Sequence, residues 1–437
     1  MISNQISHGL NGLANIPGDK SISHRSVIIP SISNGVCEVE NILKSDDVLH
    51  TINALKAMGV KIIEQDQKLI IFGNGLNSLI EPKKEIYLGN SGTSARLLTG
   101  LLSSQKFKSV LIGDSSLSKR PMKRIADPLT QMGANVQTSD GTLPIYINGR
   151  NLNCTNLDLK IPSAQIKSGI LLASLNTKEE TNITENKITR DHTEVMLKSF
   201  GANIEMKKID NKKLIKIIGG KELISKNINV PNDLSSSAFF IVSALINNNS
   251  YLKLTNVNNN PTRNGLILAL EKMGAKLQFK NERVSNNENI CDIEVVNSNL
   301  NGCELGPEYA DLMIDEYPII AVAACFANSP SIFRGLSELR VKESDRLKLI
   351  LLNLQNCGVN CESKKDDLYI YPSKNYEIKK NIIQTDYDHR IAMAFAVMGT
   401  KIGPLTIKDP ESINTSFPNF KDEINKLGGN ISWKNQL

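Results

Sequence analysis

The chain has 437 residues, 40% hydrophobic, 22% charged and 5% aromatic, with 51 Lys and Arg against 45 Asp and Glu. That is an ordinary globular balance with room for about two to four domains, which excludes a disordered chain, a collagen and a low-complexity linker. The net charge of +6 fits an anionic partner, nucleic acid or small phosphates and carboxylates, without choosing between them. No stretch approaches 18 consecutive apolar residues, so no transmembrane helix and no membrane partner are expected. The start Met1-Ile2-Ser3-Asn4-Gln5 has neither a basic nor an apolar region, so no signal peptide is expected. Seven scattered cysteines predict reduced thiols in a cytoplasmic protein, and Cys357-x3-Cys361 lacks the second pair that a zinc site needs.

In chain order, an apolar helix is predicted over 21–33, then an amphipathic run ending at Met58-Gly59-Val60-Lys61-Ile62. A strand at Ile86-Tyr87-Leu88 leads into a second apolar helix over 92–104. An amphipathic helix follows from near Lys119-Arg120-Pro121 to Met132-Gly133-Ala134-Asn135-Val136. The third pair spans 163–175 and a helix from near Arg190 to Phe200-Gly201-Ala202-Asn203-Ile204. The fourth spans 234–246 and a helix from near Thr262-Arg263 to Met273-Gly274-Ala275-Lys276-Leu277. The fifth spans 316–327 and a helix from near Lys342 to Cys357-Gly358-Val359-Asn360, and the sixth spans 389–399 and ends at Leu427-Gly428-Gly429-Asn430-Ile431. Each recurring glycine follows an amphipathic run and precedes apolar/polar alternation, the mark of a helix closed by glycine and followed by a strand. One unit reads strand, buried helix, strand, amphipathic helix, strand, strand. Six such units exceed the size at which one core keeps growing, so they divide three and three at Val230-Pro231-Asn232-Asp233. A solenoid of six equal units is the alternative; the period is too long for TPR, ankyrin or leucine-rich repeats.

Polar residues concentrate at the predicted helix starts. The apolar set opens Pro17-Gly18-Asp19-Lys20-Ser21-Ile22-Ser23-His24-Arg25, Gly89-Asn90-Ser91-Gly92-Thr93-Ser94-Ala95-Arg96, Pro162-Ser163-Ala164-Gln165-Ile166-Lys167, Asp315-Glu316-Tyr317-Pro318 and Asp388-His389-Arg390. Lys and Arg stand there against the preference of the helix dipole, which makes sense if an anion occupies the space in front. Gly18-Asp19-Lys20-Ser21 lacks the upstream glycines of a P-loop. Taken singly, Asn90-Ser91-Gly92-Thr93 reads equally as a capped polar turn, Asp315 as a helix cap, Glu343 as part of an ion-pair cluster with Arg340, Lys342 and Arg346, and His389 as a satisfied polar residue. Cys37, Cys154 and Cys325 read as fillers.

These motifs, in this order and over essentially the full length, resemble the EPSP synthase family of 3-phosphoshikimate 1-carboxyvinyltransferases. Lys119-Arg120-Pro121-Met122, Arg340-Val341-Lys342-Glu343-Ser344-Asp345-Arg346 and Asp388-His389-Arg390-Ile391-Ala392-Met393 complete the set. Gly18-Asp19-Lys20-Ser21, Ser163-Ala164-Gln165-Ile166-Lys167, Arg190-Asp191-His192-Thr193-Glu194 and Asn260-Pro261-Thr262-Arg263 are similar to its class II, glyphosate-insensitive branch. The resemblance implies an α/β fold of two domains, each of three βαβαββ repeats with buried helices surrounded by sheet, a pseudo-sixfold inside-out barrel. The implied domains are 18–232, and 1–17 with 233–437. The implied reaction moves the enolpyruvyl group of phosphoenolpyruvate to the 5-hydroxyl of 3-phosphoshikimate with loss of phosphate, by addition and elimination through a tetrahedral intermediate, in aromatic amino acid biosynthesis. No metal and no cofactor are implied, and a monomer that binds small anions and no nucleic acid is expected.

By the same resemblance, 3-phosphoshikimate would contact Lys20, Ser21, Arg25, Ser163, Ala164, Gln165, Arg190, Asp315 and Lys342. Phosphoenolpyruvate would contact Lys20, Asn90, Gly92, Arg120, Gln165, Arg346 and Arg390. Asp315, Glu343 and Lys20 would share acid and base roles. Ile413-Asn414-Thr415-Ser416-Phe417-Pro418 lacks the lysine that many members carry two residues before Phe-Pro. Gly92 stands where the best-known insensitive member has alanine, and Leu97 where sensitive members often have proline; together they imply intermediate glyphosate sensitivity. Two alternatives remain. One is the sister transferase acting on UDP-N-acetylglucosamine, which usually carries Lys-Asn at Lys20-Ser21 and a loop cysteine that the segment Gly113–Pro121 lacks. The other is a basic repeat protein binding nucleic acid, for which one Trp and 5% aromatics offer few stacking surfaces.

Overall fold

The glycine signature has a backbone cause. Gly59, Gly133, Gly201, Gly274, Gly358 and Gly428 all adopt left-handed φ values, from 82° at Gly274 to 112° at Gly428. A side chain is strained there, so glycine ends the helix and turns the chain into the next strand.

The computed structural model of the chain describes residues 1–210 and 212–433. It divides into two compact units. One holds Met1–Pro17, Asn232–Arg283 and the chain from Asn289 onward; the other holds Gly18–Pro231 together with Val284–Glu288. Asp19 N donates to Pro231 O at 2.7 Å in the second, and Asp233 N to Pro17 O at 2.9 Å in the first.

The Gly18–Pro231 unit carries α1 (Lys20–Ser31), α2 (Asp46–Ala57), α3 (Gly92–Ser103), α4 (Lys123–Gln131), α5 (Ala164–Ser174) and α6 (His192–Ser199). The other carries α7 (Leu234–Ile246), α8 (Gly265–Lys272), α9 (Pro307–Met313), α10 (Tyr317–Cys325), α11 (Arg346–Asn356), α12 (His389–Ile402) and α13 (Phe420–Lys426). Helices α1, α3 and α5 in one unit, and α7, α10 and α12 in the other, are buried along almost their whole length. Serine and threonine survive inside them by donating to carbonyls one turn back: Ser31 to Val27, Thr99 to Ala95, Ser103 to Thr99 and Ser174 to Ile170. Where α3 crosses α5, a Cβ on Gly100 would stand 1.9 Å from Gly169 O, so that crossing requires glycine.

Among the described residues six four-stranded sheets share one strand order. The sheet around α3 shows it. Ile86–Tyr87 runs parallel to Lys108–Ile112, which is antiparallel to Thr142–Asn148, and Asn135–Ser139 closes the far edge. This is the expected βαβαββ unit. Three sheets borrow a strand from elsewhere in the chain. Ile228–Asn229 pairs with Asn34–Glu40, Asn11–Ala14 with Tyr251–Asn258, and Ile2–Ser3 inserts between Leu405–Ile407 and Ile431–Ser432. The N-terminal segment thus completes two sheets of its unit.

Three expectations need correction. The amphipathic helices start later than Lys119, Arg190, Thr262 and Lys342, at Lys123, His192, Gly265 and Arg346. Lys119, Arg190, Arg263 and Lys342 precede the helices, so these four do not bear the dipole cost inferred from their placement; the residues at the caps of α4, α6, α8 and α11 are Met122, Asp191, Asn264 and Asp345. Asp19, Ser91, Ser163, Asp233, Asp345 and Asp388 each accept a bond from a backbone N–H of the following first turn. Asp315 is not a cap; Glu316 occupies that position of α10 and makes no capping bond. Helix α9 was not foreseen, although Gly306-Pro307-Glu308 is the start signal of proline at the first helical position with an acid beside it.

All seven cysteines are free thiols. Burial pushes Cys303 and Cys361 up to about 11 and Cys37, Cys291 and Cys357 up to about 12, which makes these five poor nucleophiles. Among the described residues no helix is long and apolar enough to cross a membrane.

Candidate active site

Lys20 is the first residue of α1, behind the Asp19 cap. Its ammonium lies 2.5 Å from Asp47 Oδ2, a buried carboxylate near the start of α2. Ser21 follows and offers its carbonyl to Arg25 Nη1 at 2.7 Å. Arg25 is buried: its Nε donates to Thr193 Oγ1 at 2.6 Å and its Nη2 to Ser168 Oγ at 2.8 Å. Burial holds its guanidinium down to about 10, against the opposing pull of Glu194 and Asp19.

The start of α3 gathers the next group. Arg120 donates to Asn90 Oδ1 and, at 3.4 Å, to Ser116 Oγ. Arg96 Nη1 donates to Gln165 Oε1 at 2.6 Å, and Gln165 Nε2 to Thr93 Oγ1 at 2.9 Å. A Cβ on Gly92 would stand 2.8 Å from Arg96 Nη1 and 3.1 Å from Arg120 Nη1, so the missing side chain is what lets both guanidinia approach this turn. Beneath it, His24 Nδ1, Thr51 Oγ1, Ser94 Oγ and Ser91 Oγ form a buried chain at 2.8, 2.6 and 2.7 Å.

Ser163 caps α5, and Ala164 is its first residue. Arg190 is half-buried just before α6 and close enough to Arg25 to oppose its charge. The rest of the class II motifs in this unit is internal scaffolding. Lys167 is fully buried between Glu185 at 2.8 Å and Glu194 at 2.7 Å, and Lys213 bonds Asp191 at 3.0 Å. Burial alone would lower the Lys167 ammonium, but the two glutamates outweigh it and raise it; burial raises Glu185, which shares that one cation.

In the other unit Arg346, the first residue of α11, organises the predicted residues. Every nitrogen of its buried fork meets a carboxylate. Nε lies 2.8 Å from Asp388 Oδ2, Nη1 3.0 Å from Asp315 Oδ1, and Nη2 2.5 Å from Glu343 Oε2. Burial would lower this guanidinium; Asp388, Glu343 and Asp315 overcome that and raise it. Lys342 Nζ reaches Asp315 Oδ1 at 3.7 Å. Arg390, beside the Asp388 cap of α12, donates to Asp315 O at 3.4 Å. His389 Nδ1 lies 3.2 Å from Thr415 Oγ1.

The predicted residues therefore fall into two groups, one per unit. Asp47, Arg96, Glu316 and Asp388 also stand in these clusters, and the sequence alone gives them no role. Arg96, Glu316 and Asp388 lie within the motifs, but a lone side chain does not say which neighbour it orients. For Asp47 the signal was an acid at the start of an amphipathic helix, which reads first as an ordinary dipole partner.

A family model described as "EPSP synthase (3-phosphoshikimate 1-carboxyvinyltransferase)" matches residues 4–424. The chain is 44% identical over 431 residues to the 3-phosphoshikimate 1-carboxyvinyltransferase of Ruthia magnifica, covering 98% of each. It is 42% identical over 439 residues to that of Paramagnetospirillum magneticum, covering 99% of this chain and 98% of the relative. A solved EPSP synthase from Acinetobacter baumannii aligns with a TM-score of 0.85 at 42% identity over 98% of both chains. The match is full-length in sequence and in fold, and the chain belongs to the EPSP synthase family.

Proposed function

We infer that the chain transfers the 1-carboxyvinyl group of phosphoenolpyruvate to the 5-hydroxyl of 3-phosphoshikimate and releases phosphate, a step of aromatic amino acid biosynthesis. The observation that carries this is the end-to-end likeness, above 40% identity, to relatives named for that reaction. The sister reaction on UDP-N-acetylglucosamine is not favoured, since the relatives carry the 3-phosphoshikimate name and Gly113–Pro121 has no cysteine.

We assign the 3-phosphoshikimate contacts to Lys20, Ser21, Arg25, Ser163, Ala164, Gln165, Arg190, Asp315 and Lys342. Those of phosphoenolpyruvate go to Lys20, Asn90, Gly92, Arg120, Gln165, Arg346 and Arg390. In the addition step the 5-hydroxyl attacks C2 of phosphoenolpyruvate and gives up its proton while C3 gains one; in the elimination C3 loses a proton and phosphate departs. Asp315, Glu343 and Lys20 are the acids and bases. A carboxylate bound to Arg346 is a weak base. The carboxylate and phosphate of phosphoenolpyruvate compete for the same cation, and this loosens its hold on Asp315 and Glu343 and strengthens them as bases. We place the enzyme in the cytoplasm as a monomer binding small anions.

The test is phosphate release with phosphoenolpyruvate and either acceptor. Release with 3-phosphoshikimate and none with UDP-N-acetylglucosamine is expected; the reverse pattern sinks the assignment.

A further inference from the structure

A buried polar chain joins the starts of α7, α10 and α12, and the chemistry above does not use it. Glu316 is 2% exposed and makes no capping bond. Its Oε1 accepts a hydrogen bond from Ser235 Oγ and lies 3.7 Å from Arg390 Nη1. Ser235 Oγ in turn accepts from Arg263 Nη2 at 2.7 Å, and Arg263 is paired at 2.9 Å with Asp233, the cap of α7. Glu316 Oε2 is buried without a hydrogen-bond partner.

A buried carboxylate with one oxygen unserved is costly, and glutamine would fill the space at lower cost. The negative charge must therefore act on something, and the cation in reach is Arg390. The contrast with Arg346 shows how. Arg346 spends all three nitrogens on carboxylates. Arg390 has side-chain contacts on Nη1 alone, to Glu316 and to Asp315 O. Its Nε and Nη2 bind nothing among the described residues, so the edge that grips a carboxylate or phosphate through two parallel bonds stays open.

We propose that Glu316 is a positioning residue that fixes Arg390 from its Nη1 side and so presents its Nε–Nη2 edge to phosphoenolpyruvate. The proposal rests on the function inferred above. Glu316→Gln keeps the size and the acceptor for Ser235 and removes the charge. Binding of phosphoenolpyruvate and of 3-phosphoshikimate is measured by calorimetry, and the KM of each at saturating partner.

The expected result is a phosphoenolpyruvate Kd and KM raised roughly 10- to 100-fold, with kcat and both 3-phosphoshikimate constants changed by no more than about twofold. Ser235→Ala should shift the same two constants less far, and it serves as the test if Glu316→Gln does not fold. In an Arg390→Lys background Glu316→Gln should add little. An unchanged phosphoenolpyruvate Kd, or an equal loss for both substrates, overturns the proposal. A wild type that binds phosphoenolpyruvate but releases no phosphate with 3-phosphoshikimate overturns the reaction assignment instead, and the variant's Kd still decides the role of Glu316.

Discussion

The two polar clusters use the same helix starts but hold their cations differently. In the Gly18–Pro231 unit, Arg120 is oriented by Asn90 and Ser116, and Arg96 by Gln165 and the carbonyls of Gly92 and Pro121. These five partners are an amide or a hydroxyl on a side chain, or a backbone carbonyl, and they fix the direction of each guanidinium. In the other unit Arg346 is held by three carboxylates, those of Asp388, Asp315 and Glu343. The proposed roles follow this difference: Arg120 is assigned to anion binding, and Asp315 and Glu343 to proton transfer once an anion competes for Arg346.

The largest effect expected from this contrast is on turnover. Glu343→Gln keeps a hydrogen bond to Arg346 and removes the base, so kcat should fall by about 10²–10⁴ while ligands still raise Tm. Near-normal turnover would remove Glu343 from proton transfer and leave it a brace. The next effect is on stability. Arg346→Met leaves the buried Asp388 uncompensated and should cost about 3–5 kcal/mol in urea unfolding. Arg120→Met gives up the bonds to Asn90 and Ser116 and should cost less, about 1 kcal/mol for those bonds. Equal losses would erase the distinction between the clusters.

A smaller effect concerns glyphosate, a competitor for the phosphoenolpyruvate site in this family. Gly92→Ala puts a methyl against Arg96 and Arg120. At about 1–3 kcal/mol of overpacking, inhibitor affinity should fall roughly 5- to 150-fold, and phosphoenolpyruvate, being shorter, should lose less. Superimposable inhibition curves would move Gly92 away from the inhibitor. The smallest effect is on pH dependence. Burial, aided by Lys20 and Arg25, holds His24 well below its ordinary 6.5. Below that value the unfolded chain takes a proton that folded His24 refuses, so stability falls as pH drops, by at most about 1.4 kcal/mol per pH unit. His24→Gln should flatten that slope between about pH 6.5 and 5; an unaltered slope would place its origin in another group.

Much of the repeat was readable because it rests on local rules. Gly59 and its five counterparts mark helix ends by a backbone requirement, and Ala164–Ser174 is too apolar to lie at a surface. The borrowed strands Ile2–Ser3 and Asn11–Ala14 were not readable, since their pairing partners lie hundreds of residues away and strands this short carry little periodicity. At the site, motif order singled out Lys20, Arg120, Asp315 and Arg346 as candidates, but not what each touches. That Arg346 is held by three carboxylates while Arg390 meets one is a three-dimensional fact. The basic residues before α4, α6 and α11 misled for a similar reason: propensity places a helix boundary only to within a few residues, and the dipole argument needed the residue itself.

The central proposal is that Arg120 serves phosphoenolpyruvate binding and Asp315 serves proton transfer. Steady-state kinetics of Arg120→Met and Asp315→Asn, measured side by side with phosphoenolpyruvate varied at saturating 3-phosphoshikimate, tests it most directly. The account predicts a raised phosphoenolpyruvate KM with kcat largely kept for Arg120→Met, and a collapsed kcat with KM largely kept for Asp315→Asn. Two variants that shift the same constant to the same degree would contradict it.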